Sequence, residues 1–438
     1  MNSLGDQKAW RITSINNDFN FCSTYPQSLL VPAKISDTTL SYAVKYRSKG
    51  RLPIGTYVHW ANGSSITRSS QPMVGFKNAR SIQDEKLIEA IFHSHSLHTG
   101  PSLSSPPTIS SQSNQHVIYG ATSTNLIIDA RPTTNAMANT VKGAGTENME
   151  NYKACRKAYL GIDNIHVMRD SLQKLVSALH ESFISSQPVS LESLRKSGWL
   201  KHISAILDGV SLITRTVHVS NSHVLIHCSD GWDRTSQLSA LSQVCLDPYY
   251  RTFDGFAILV EKDWLSFGHK FSDRSGVVVL GKEMVNFGEH PTWVTSFQKQ
   301  LNFATTSTSH SHAYKETSPV FHQFLDCVYQ LIRQFPQRFE FNSMYLETLF
   351  KELYSAQYGT FLFDNEEERI RNNAHSTTRS VWELFEGDKR DRYRNELYDS
   401  SLDDPTKREN EDQGVLLPNP KEVKYWWELF GCDDSEMN

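Results

Sequence analysis

Hydrophobic positions along the chain follow two periods, which predict alternating strands and helices. The short apolar runs Asn125–Asp129 and Val224–Ile226 are typical of buried strands. In Tyr57–Thr67, an Asn-Gly pair between two β-prone runs predicts a hairpin. Longer segments place apolar residues on one helical face: Ser81–Phe92, Met168–Phe183, Trp199–Val210, Thr235–Leu246, Ser318–Phe335 and Ser343–Tyr358. This alternation favours an α/β fold with a central mixed sheet flanked by helices.

Two segments depart from this periodicity. Residues 93–115 are rich in Ser, Pro and His, which predicts a mobile surface loop. Residues 387–414 are densely charged, which predicts a second, solvated and partly disordered loop. The remainder, about 10–430, is expected to form the ordered core of a single domain over 1–438.

Composition excludes several classes of protein. The formal net charge of −4 gives no bulk positive field for nucleic acid. No apolar run is long enough to span a membrane, and the first residues lack a signal-peptide core. The six cysteines are scattered without a CxxC pair, which argues against a disulfide framework or a zinc site and suits a reducing cytosol.

One cysteine lies where a predicted strand gives way to a predicted helix, in HVLIHCSDGWDRTSQ (223–237). A strand, a tight loop and a helix in this order form an anion site, because loop N–H groups and the helix N-terminus present positive charge. At the bottom of this cup the thiolate of Cys228 would be stabilised and could attack phosphorus. The stretch therefore predicts chemistry through a cysteinyl phosphate. The alternative is a buried structural cysteine.

Three neighbours of Cys228 support the phosphoryl-transfer interpretation. Arg234 carries a planar guanidinium that can hold two phosphoryl oxygens. Gly231 permits a tight turn with backbone close to the ligand. The hydroxyl of Thr235 can hydrogen-bond to the sulfur and ease its departure in the second step.

Two aspartates, Asp230 and Asp233, are unusual beside a phosphate site because carboxylates repel the substrate. They become useful if they accept hydrogen bonds from substrate hydroxyls, or if one has a raised pKa and protonates the leaving alkoxide. Both features favour a polyol phosphate over a phosphotyrosine. The alternative is that both aspartates cap the following helix.

The motif HCSDGWDRT resembles the active-site signature of the myotubularins, phosphoinositide 3-phosphatases of the Cys-dependent phosphatase superfamily. Similar blocks extend from Trp10 to about Phe430, among them RSSQP (68–72), DARPTTNAMAN (129–139), DNIHVMRDSL (163–172) and LLPNPKEVKYWWELF (416–430). The resemblance implies a tyrosine phosphatase-like fold with extra helices. It also implies removal of the D3 phosphate from phosphatidylinositol 3-phosphate, and from the 3,5-bisphosphate.

The resemblance assigns roles to individual positions. It makes Cys228 the nucleophile, Arg234 the phosphate clamp and Asp233 the favoured acid. Further residues would bind the substrate: Ser229, Asp230, Gly231 and Trp232 in the loop, Asn139 and Asn164 in the pocket, and Lys270 and Arg274 at the second phosphate.

The chain departs from the family pattern at Lys270, where an arginine is expected. A point charge there replaces a bidentate fork and would weaken headgroup selectivity. The N-terminal PH-GRAM domain, a FYVE finger and a coiled-coil tail are not expected in this sequence. The resemblance implies a cytoplasmic protein, peripherally attached to endosomal or vacuolar membranes, whose partners are the headgroup in a membrane surface and other myotubularins, in homo- or hetero-oligomers.

No metal or organic cofactor is expected, because the thiolate, Arg234 and the loop dipoles supply the electrostatics. Two other functions stay open at this point. One is a protein phosphatase with the same loop, and the other is a catalytically weak or inactive phosphoinositide-binding adaptor.

Overall fold

The computed structural model describes residues 9–94, 124–153, 155–276, 315–404 and 412–438. Its centre is a mixed seven-stranded sheet with the order β1-β2-β3-β4-β7-β5-β6. The strands are β1 Trp10–Thr13, β2 Leu29–Pro32, β3 Ile54–Val58, β4 Ser65–Ser69, β5 Asn125–Asp129, β6 Cys155–Tyr159 and β7 Val224–His227. Strands β1 to β4 pair antiparallel, whereas β4, β7, β5 and β6 run parallel to one another. The predicted α/β fold with a mixed sheet is therefore confirmed.

Helices cover both faces of this sheet. The α-helices are α1 Asp37–Ala43, α2 Ile82–Phe92, α3 Thr133–Ala138, α4 Ile165–Ser185, α5 Leu191–Ser197, α6 Trp199–His218, α7 Arg234–Leu246, α8 Phe253–Val260, α9 Phe271–Ser275, α10 Val320–Gln334, α11 Ser343–Ser355, α12 Glu366–Arg371, α13 Ala374–Thr377 and α14 Asp434–Met437. Shorter 3-10 segments include Val44–Tyr46, Ser48–Gly50, Asn139–Lys142, Pro248–Arg251, Gly359–Phe361, Val381–Phe385, Gly387–Tyr393, Ser400–Asp403 and Trp427–Phe430, and Glu261–Ser266 is a π-helix.

The central strand β7 shows how the sheet separates two apolar cores. Val224 and Ile226 face the larger core, which α4, α6, α7, α8, α10 and α11 build. Leu225 faces the smaller core, against α1 and α2. All four residues of β7 are buried and the first three are apolar, as expected for a parallel strand covered on both faces.

Local signals in the sequence set several boundaries. The Ser81 hydroxyl accepts a hydrogen bond from the Asp84 backbone N–H at 3.2 Å and begins α2, as predicted. The predicted hairpin is formed by β3 and β4, with Val58 opposite Ser65 and the Asn-Gly pair within a six-residue connection.

One expectation from the sequence is wrong. Phe183 is 86% exposed at the end of α4, because the helix extends beyond the core that buries its first four turns. The described part of the charged stretch, 387–404, is mostly exposed, and it forms short 3-10 segments that are anchored at two buried residues. Tyr393 is buried between aromatic rings, and Asp403 pairs with Arg251 at 2.9 Å. Most of the predicted loop 93–115 lies outside the described residues.

Candidate active site

The predicted site residues emerge from one edge of the sheet. Because β4, β7, β5 and β6 are parallel, their carboxyl ends lie side by side. In open α/β sheets this is the edge where ligands bind. Cys228 follows directly after β7, and α7 begins six residues later at Arg234. The predicted order of strand, loop and helix is thus present, and the loop 228–234 is called the signature loop below.

The sulfur of Cys228 lies at the floor of the signature loop and is 2% exposed as a residue. It accepts a hydrogen bond from the Gly231 backbone N–H at 3.3 Å and another from the Thr235 hydroxyl at 3.2 Å. Both donors point at the sulfur, which is the arrangement that stabilises negative charge on sulfur during phosphoryl transfer. The hydroxyl predicted to assist the leaving sulfur is therefore in place.

Gly231 is required by the path of the loop. Its φ is +80°, a conformation that costs other residues energy. A Cβ there would lie 2.4 Å from the backbone oxygen of Ser69, at the end of β4. The turn and the neighbouring strand approach too closely for any side chain.

Arg234 turns back over the mouth of the loop from the first position of α7. One terminal nitrogen donates to the Ile162 carbonyl at 3.1 Å, and the other lies 3.5 Å from the Ser229 hydroxyl. The guanidinium is thereby held with its fork near the loop. This is the geometry that a phosphate clamp needs.

Two buried arginines behind the loop were not predicted. Arg51 and Arg68 each donate to the Gly231 carbonyl at 3.0 Å. Arg68 also donates to the Ser236 hydroxyl at 2.6 Å, which ties the loop to α7. Both side chains are fully buried, so they add positive potential behind the cup while fixing its backbone. The only signal in the sequence was their position around β3 and β4.

A second brace comes from the segments that follow β4 and β5. The Gln71 backbone N–H donates to the Ser229 carbonyl at 3.1 Å, and its side-chain oxygen accepts from both Arg131 and Asn139. Asp129 binds the Arg131 guanidinium through both carboxylate oxygens, at 2.8 and 2.7 Å. Asp129 therefore braces the loop as a buried ion pair, and its side chain is not directed at Cys228.

Of the two predicted pocket asparagines, Asn139 reaches the signature loop, whereas the side chain of Asn164 caps a helix. The Asn139 amide donates to Gln71 and lies 3.4 Å from the Ser229 hydroxyl. Asn164 is the N-cap of α4, and its side-chain oxygen accepts from the backbone N–H groups of His166 and Val167. It sits two residues after Ile162, whose carbonyl holds Arg234.

Asp233 is bound from two sides. Its carboxylate accepts two parallel hydrogen bonds from the Arg274 guanidinium, at 3.1 and 3.0 Å, and lies 3.2 Å from Nδ1 of His269. Burial disfavours the ionised carboxylate, but Arg274 and then His269 outweigh it and hold the pKa of Asp233 well below its usual range. This environment keeps Asp233 ionised, which is opposite to what the predicted acid requires.

Asp230 has a different environment. Its carboxylate is partly exposed and lies 3.9 Å from the Lys49 ammonium. Lys49 also lies 4.5 Å from the centre of the Trp232 ring. Lys49 was not predicted, because it follows β2 by 17 residues and reaches the loop only in the folded chain.

Trp232 packs under the signature loop and is 3% exposed, so its ring does not project from the protein surface. Its ring lies within 5.5 Å of Lys49, Lys270 and Arg51. Cation–π attraction to this ring helps to hold the three cations beside the signature loop.

Lys270 and Arg274 flank the turn that begins α9, four residues apart. The Lys270 ammonium pairs with Asp273 at 2.6 Å, and Arg274 pairs with Asp233 and with Glu316. Both predicted cations are therefore close to the signature loop. Each of the two has a carboxylate partner.

A buried relay lies beneath Cys228. Nε2 of His227 lies 3.0 Å from one Glu147 oxygen, and the other oxygen accepts from Arg47 at 2.8 Å. Burial raises the pKa of a carboxyl group, but the charges of His227 and Arg47 hold that of Glu147 well below its usual range. Glu147 therefore fixes the ring of the residue that precedes the nucleophile.

No helix among the described residues is long and apolar enough to cross a membrane. Within the same ranges, no cluster of three or more His, Cys, Asp or Glu side chains could hold a metal ion. The histidines at positions 95, 98, 310 and 312 lie outside the described residues.

Comparison with known proteins places the chain among phosphatases. The family model for the myotubularin-like phosphatase domain matches residues 1–370. The phosphoinositide 3-phosphatase of Saccharomyces cerevisiae is 37% identical over 100% of this chain and 69% of its own length. The human phosphatidylinositol-3,5-bisphosphate 3-phosphatase MTMR6 is 37% identical over 98% of this chain and 59% of its own length. The mouse phosphatidylinositol-3,5-bisphosphate 3-phosphatase MTMR2 is 39% identical over 90% of this chain and 52% of its own length. The chain thus spans between about half and about two thirds of these relatives.

Proposed function

The chain belongs to the family of myotubularin-like phosphatases, and on that premise we propose that it removes the D3 phosphate of phosphatidylinositol 3-phosphate and of the 3,5-bisphosphate. The observation that carries the proposal is the hydrogen bonding of the Cys228 sulfur by Gly231 and Thr235, at the floor of a loop whose mouth Arg234 covers. The names of the relatives, all phosphoinositide 3-phosphatases, support the substrate class.

In the first step the Cys228 thiolate attacks the phosphorus of the D3 phosphate. A sulfur–phosphorus bond forms, the bond between phosphorus and the inositol oxygen breaks, and its electron pair goes to that oxygen, which takes up a proton. The loop N–H groups and the Arg234 fork hold the three remaining phosphoryl oxygens and neutralise their charge.

In the second step water attacks the cysteinyl phosphate. The phosphorus–oxygen bond forms, the sulfur–phosphorus bond breaks, and its electron pair returns to sulfur. The Thr235 hydroxyl, 3.2 Å from the sulfur, donates to it as negative charge returns. Inorganic phosphate and the free thiolate complete the cycle.

The leaving inositol oxygen needs a proton, and Asp233 is the carboxylate expected to supply it. Arg274 holds Asp233 ionised, yet Arg274 is also the predicted ligand of a second phosphate. A substrate phosphate at Arg274 competes with Asp233 for the guanidinium. We infer that substrate binding weakens this pair, raises the pKa of Asp233 and lets it carry the proton.

The arrangement favours an inositol lipid over a phosphotyrosine peptide. Lys49, Lys270 and Arg274 lie beside the signature loop in addition to Arg234. Several cations around one pocket suit a ligand with two phosphates, such as an inositol lipid, whose diester phosphate is a second anion. An inactive adaptor is disfavoured because Cys228 and Arg234 are both present and placed for chemistry. For this substrate we propose a cytoplasmic protein, bound peripherally to endosomal or vacuolar membranes.

Phosphate release from short-chain soluble lipids tests the proposal. The assay compares phosphatidylinositol 3-phosphate and the 3,5-bisphosphate with the 4-phosphate, the 5-phosphate and a phosphotyrosine peptide. Release from the two 3-phosphorylated lipids alone is the expected result. Equal release from the peptide would instead establish a protein phosphatase, and release from none would refute the enzymatic function of this chain.

A further inference from the structure

An apolar rim lies at the same sheet edge as the active site. It consists of Met73 and Phe76 after β4, and of Met137 and Val141 after β5. Phe76, Met137 and Val141 are 76%, 66% and 67% exposed, and Met73 is 38% exposed. Single exposed apolar residues are ordinary, but four that share one edge of a protein mark an interaction surface.

The two halves of this rim are joined through the backbone. The Gly75 N–H donates to the Ala144 carbonyl at 2.9 Å, and a Cβ on Gly75 would lie 3.3 Å from the Gly143 Cα. Phe76 therefore stands beside the end of the helical segment 133–142. Met137 and Val141 are four residues apart and share the solvent side of that segment.

The rim is also tied to the signature loop. Asn139, between Met137 and Val141, directs its amide inward to Gln71 and Ser229, so its apolar neighbours lie on the outer side. Gln71, two residues before Met73, binds the Ser229 carbonyl through its backbone N–H. The apolar side chains thus border the pocket that would take the headgroup.

Two exposed lysines accompany the apolar residues. Lys77 follows Phe76 directly, and Lys142 follows Val141. In the part of the chain that the structure describes, neither lysine has an acidic partner, and the nearby Glu85 is paired with Arg80 at 2.8 Å. Apolar side chains with adjacent free cations are the pattern of a surface that enters the interface of an anionic bilayer.

We propose that this rim binds the phospholipid bilayer, with Phe76 and Met137 inserted at the headgroup level and Lys77 and Lys142 on anionic headgroups. The inference rests on the proposed function, because a lipid substrate must reach Cys228 without leaving its membrane. Seating the rim in the bilayer presents the mouth of the signature loop to the membrane surface.

A double variant, Phe76→Ser with Met137→Ser, separates this role from catalysis. Its activity on soluble short-chain phosphatidylinositol 3-phosphate should match that of the wild type. Its activity on the same headgroup in phosphatidylcholine–phosphatidylserine vesicles should fall at least about tenfold, the equivalent of losing one buried apolar side chain. Lys77→Glu with Lys142→Glu should give a similar loss that disappears when phosphatidylserine is omitted.

The matched control is Phe183→Ser. Phe183 is exposed to a similar degree but lies near the far end of α4, about 30 Å along the helix from Asn164. This control should keep full activity on vesicles. If it lost as much vesicle activity as the double variant, or if the double variant kept wild-type activity on vesicles, the proposal would be overturned; in the second case a protein partner would be the better explanation of the rim.

Sedimentation with vesicles that lack the substrate lipid keeps this test independent of the proposed function. The wild type should sediment, and the double variant should remain in solution. If the wild type released no phosphate from either form of the lipid, the proposed function would fail. Sedimentation would still show whether the rim binds the bilayer.

Discussion

Arg274 grips Asp233 through two parallel hydrogen bonds of 3.1 and 3.0 Å, so the residue expected to bind a second phosphate holds the residue expected to supply a proton. Neither role could be read from the other in the sequence, because 41 positions separate the two residues. In the fold the two residues form an ion pair, so an anion bound at Arg274 would raise the pKa of Asp233. The first two predictions follow from this pair.

Replacing Arg274 should lower stability in a pH-dependent way. The pKa of Asp233 in the folded protein lies below its ordinary value of 3.8, so the pair stabilises the fold above that pH, and this contribution is lost as pH falls through the lowered pKa. Arg274→Gln should cost about 3 kcal/mol in the free energy of unfolding at neutral pH. The difference in free energy of unfolding between the variant and the wild type should become smaller below about pH 4.

Urea denaturation across this pH range measures the effect. Lys196→Gln is the control, because its pair with Glu192 is largely exposed and should contribute little at any pH. The prediction is contradicted if the difference in free energy of unfolding between Arg274→Gln and the wild type stays constant down to pH 3. In that case Arg274 would not act by stabilising the charge of Asp233.

Arg274 should also matter more for substrates with two phosphates. Since the guanidinium is the predicted ligand of the diester phosphate, Arg274→Gln should reduce kcat/KM for soluble phosphatidylinositol 3-phosphate and for the 3,5-bisphosphate by about 100-fold, as expected for a lost charged hydrogen-bonding pair. The loss of kcat/KM for para-nitrophenyl phosphate, which carries a single phosphate, should be smaller. Steady-state kinetics on the three substrates tests this prediction, and an equal loss on para-nitrophenyl phosphate would place Arg274 outside headgroup recognition.

Gly231→Ala should abolish most activity. The new Cβ would meet the Ser69 carbonyl at 2.4 Å, so the loop must shift away from β4 and disturb the N–H group that binds the Cys228 sulfur. Gly431→Ala is the matched control, since Gly431 also has a positive φ but nothing lies within 4 Å of a Cβ there. The control should lose about 1 kcal/mol of stability and no activity. Comparable kcat values for the two variants would refute the steric role of the loop glycine.

Thr235→Ala should slow the breakdown of the intermediate more than its formation. Its hydroxyl donates to the sulfur, and the loss of one such bond to a charged group corresponds to a roughly 10- to 100-fold lower kcat. Rapid-quench measurements should then show a burst of inositol product followed by slow turnover. Thr235→Ser should restore turnover, and an alanine variant with wild-type kcat would remove Thr235 from the mechanism.

Glu147→Gln tests the relay beneath the nucleophile. It removes the charge that binds both His227 and Arg47, so stability should fall by about 3 kcal/mol, and kcat should fall while KM stays near its original value. The control is Glu150→Gln, three residues away on the surface, which should change neither the stability nor kcat. A change in KM alone would indicate that Glu147 acts on substrate binding instead of on the position of His227.

The sequence predicted the parts of the molecule that local chemistry determines. The apolar run before Cys228, the glycine in the loop and the helix after Arg234 follow from short-range signals, and all three are present. Strands β1, β2 and β6 were missed because charged residues interrupt β1 and β6, and because Pro32 ends β2 after three apolar residues.

The supporting shell of the site could not be predicted by local reasoning. Arg51 and Arg68 reach the Gly231 carbonyl across 180 and 163 positions of sequence. Only the order of strands in the sheet brings them together. For the same reason the acid prediction for Asp233 did not anticipate the lowered pKa, which depends on Arg274 and His269.

The most direct test of the central claim is phosphate release from soluble phosphatidylinositol 3-phosphate by the wild type, Cys228→Ser and Cys432→Ser. Cys432 is a half-buried cysteine near the C-terminus, remote in sequence from the signature loop. Release by the wild type and by Cys432→Ser, with none by Cys228→Ser, is the predicted result. Undiminished release by Cys228→Ser would contradict the assignment of the nucleophile and the cysteinyl-phosphate mechanism with it.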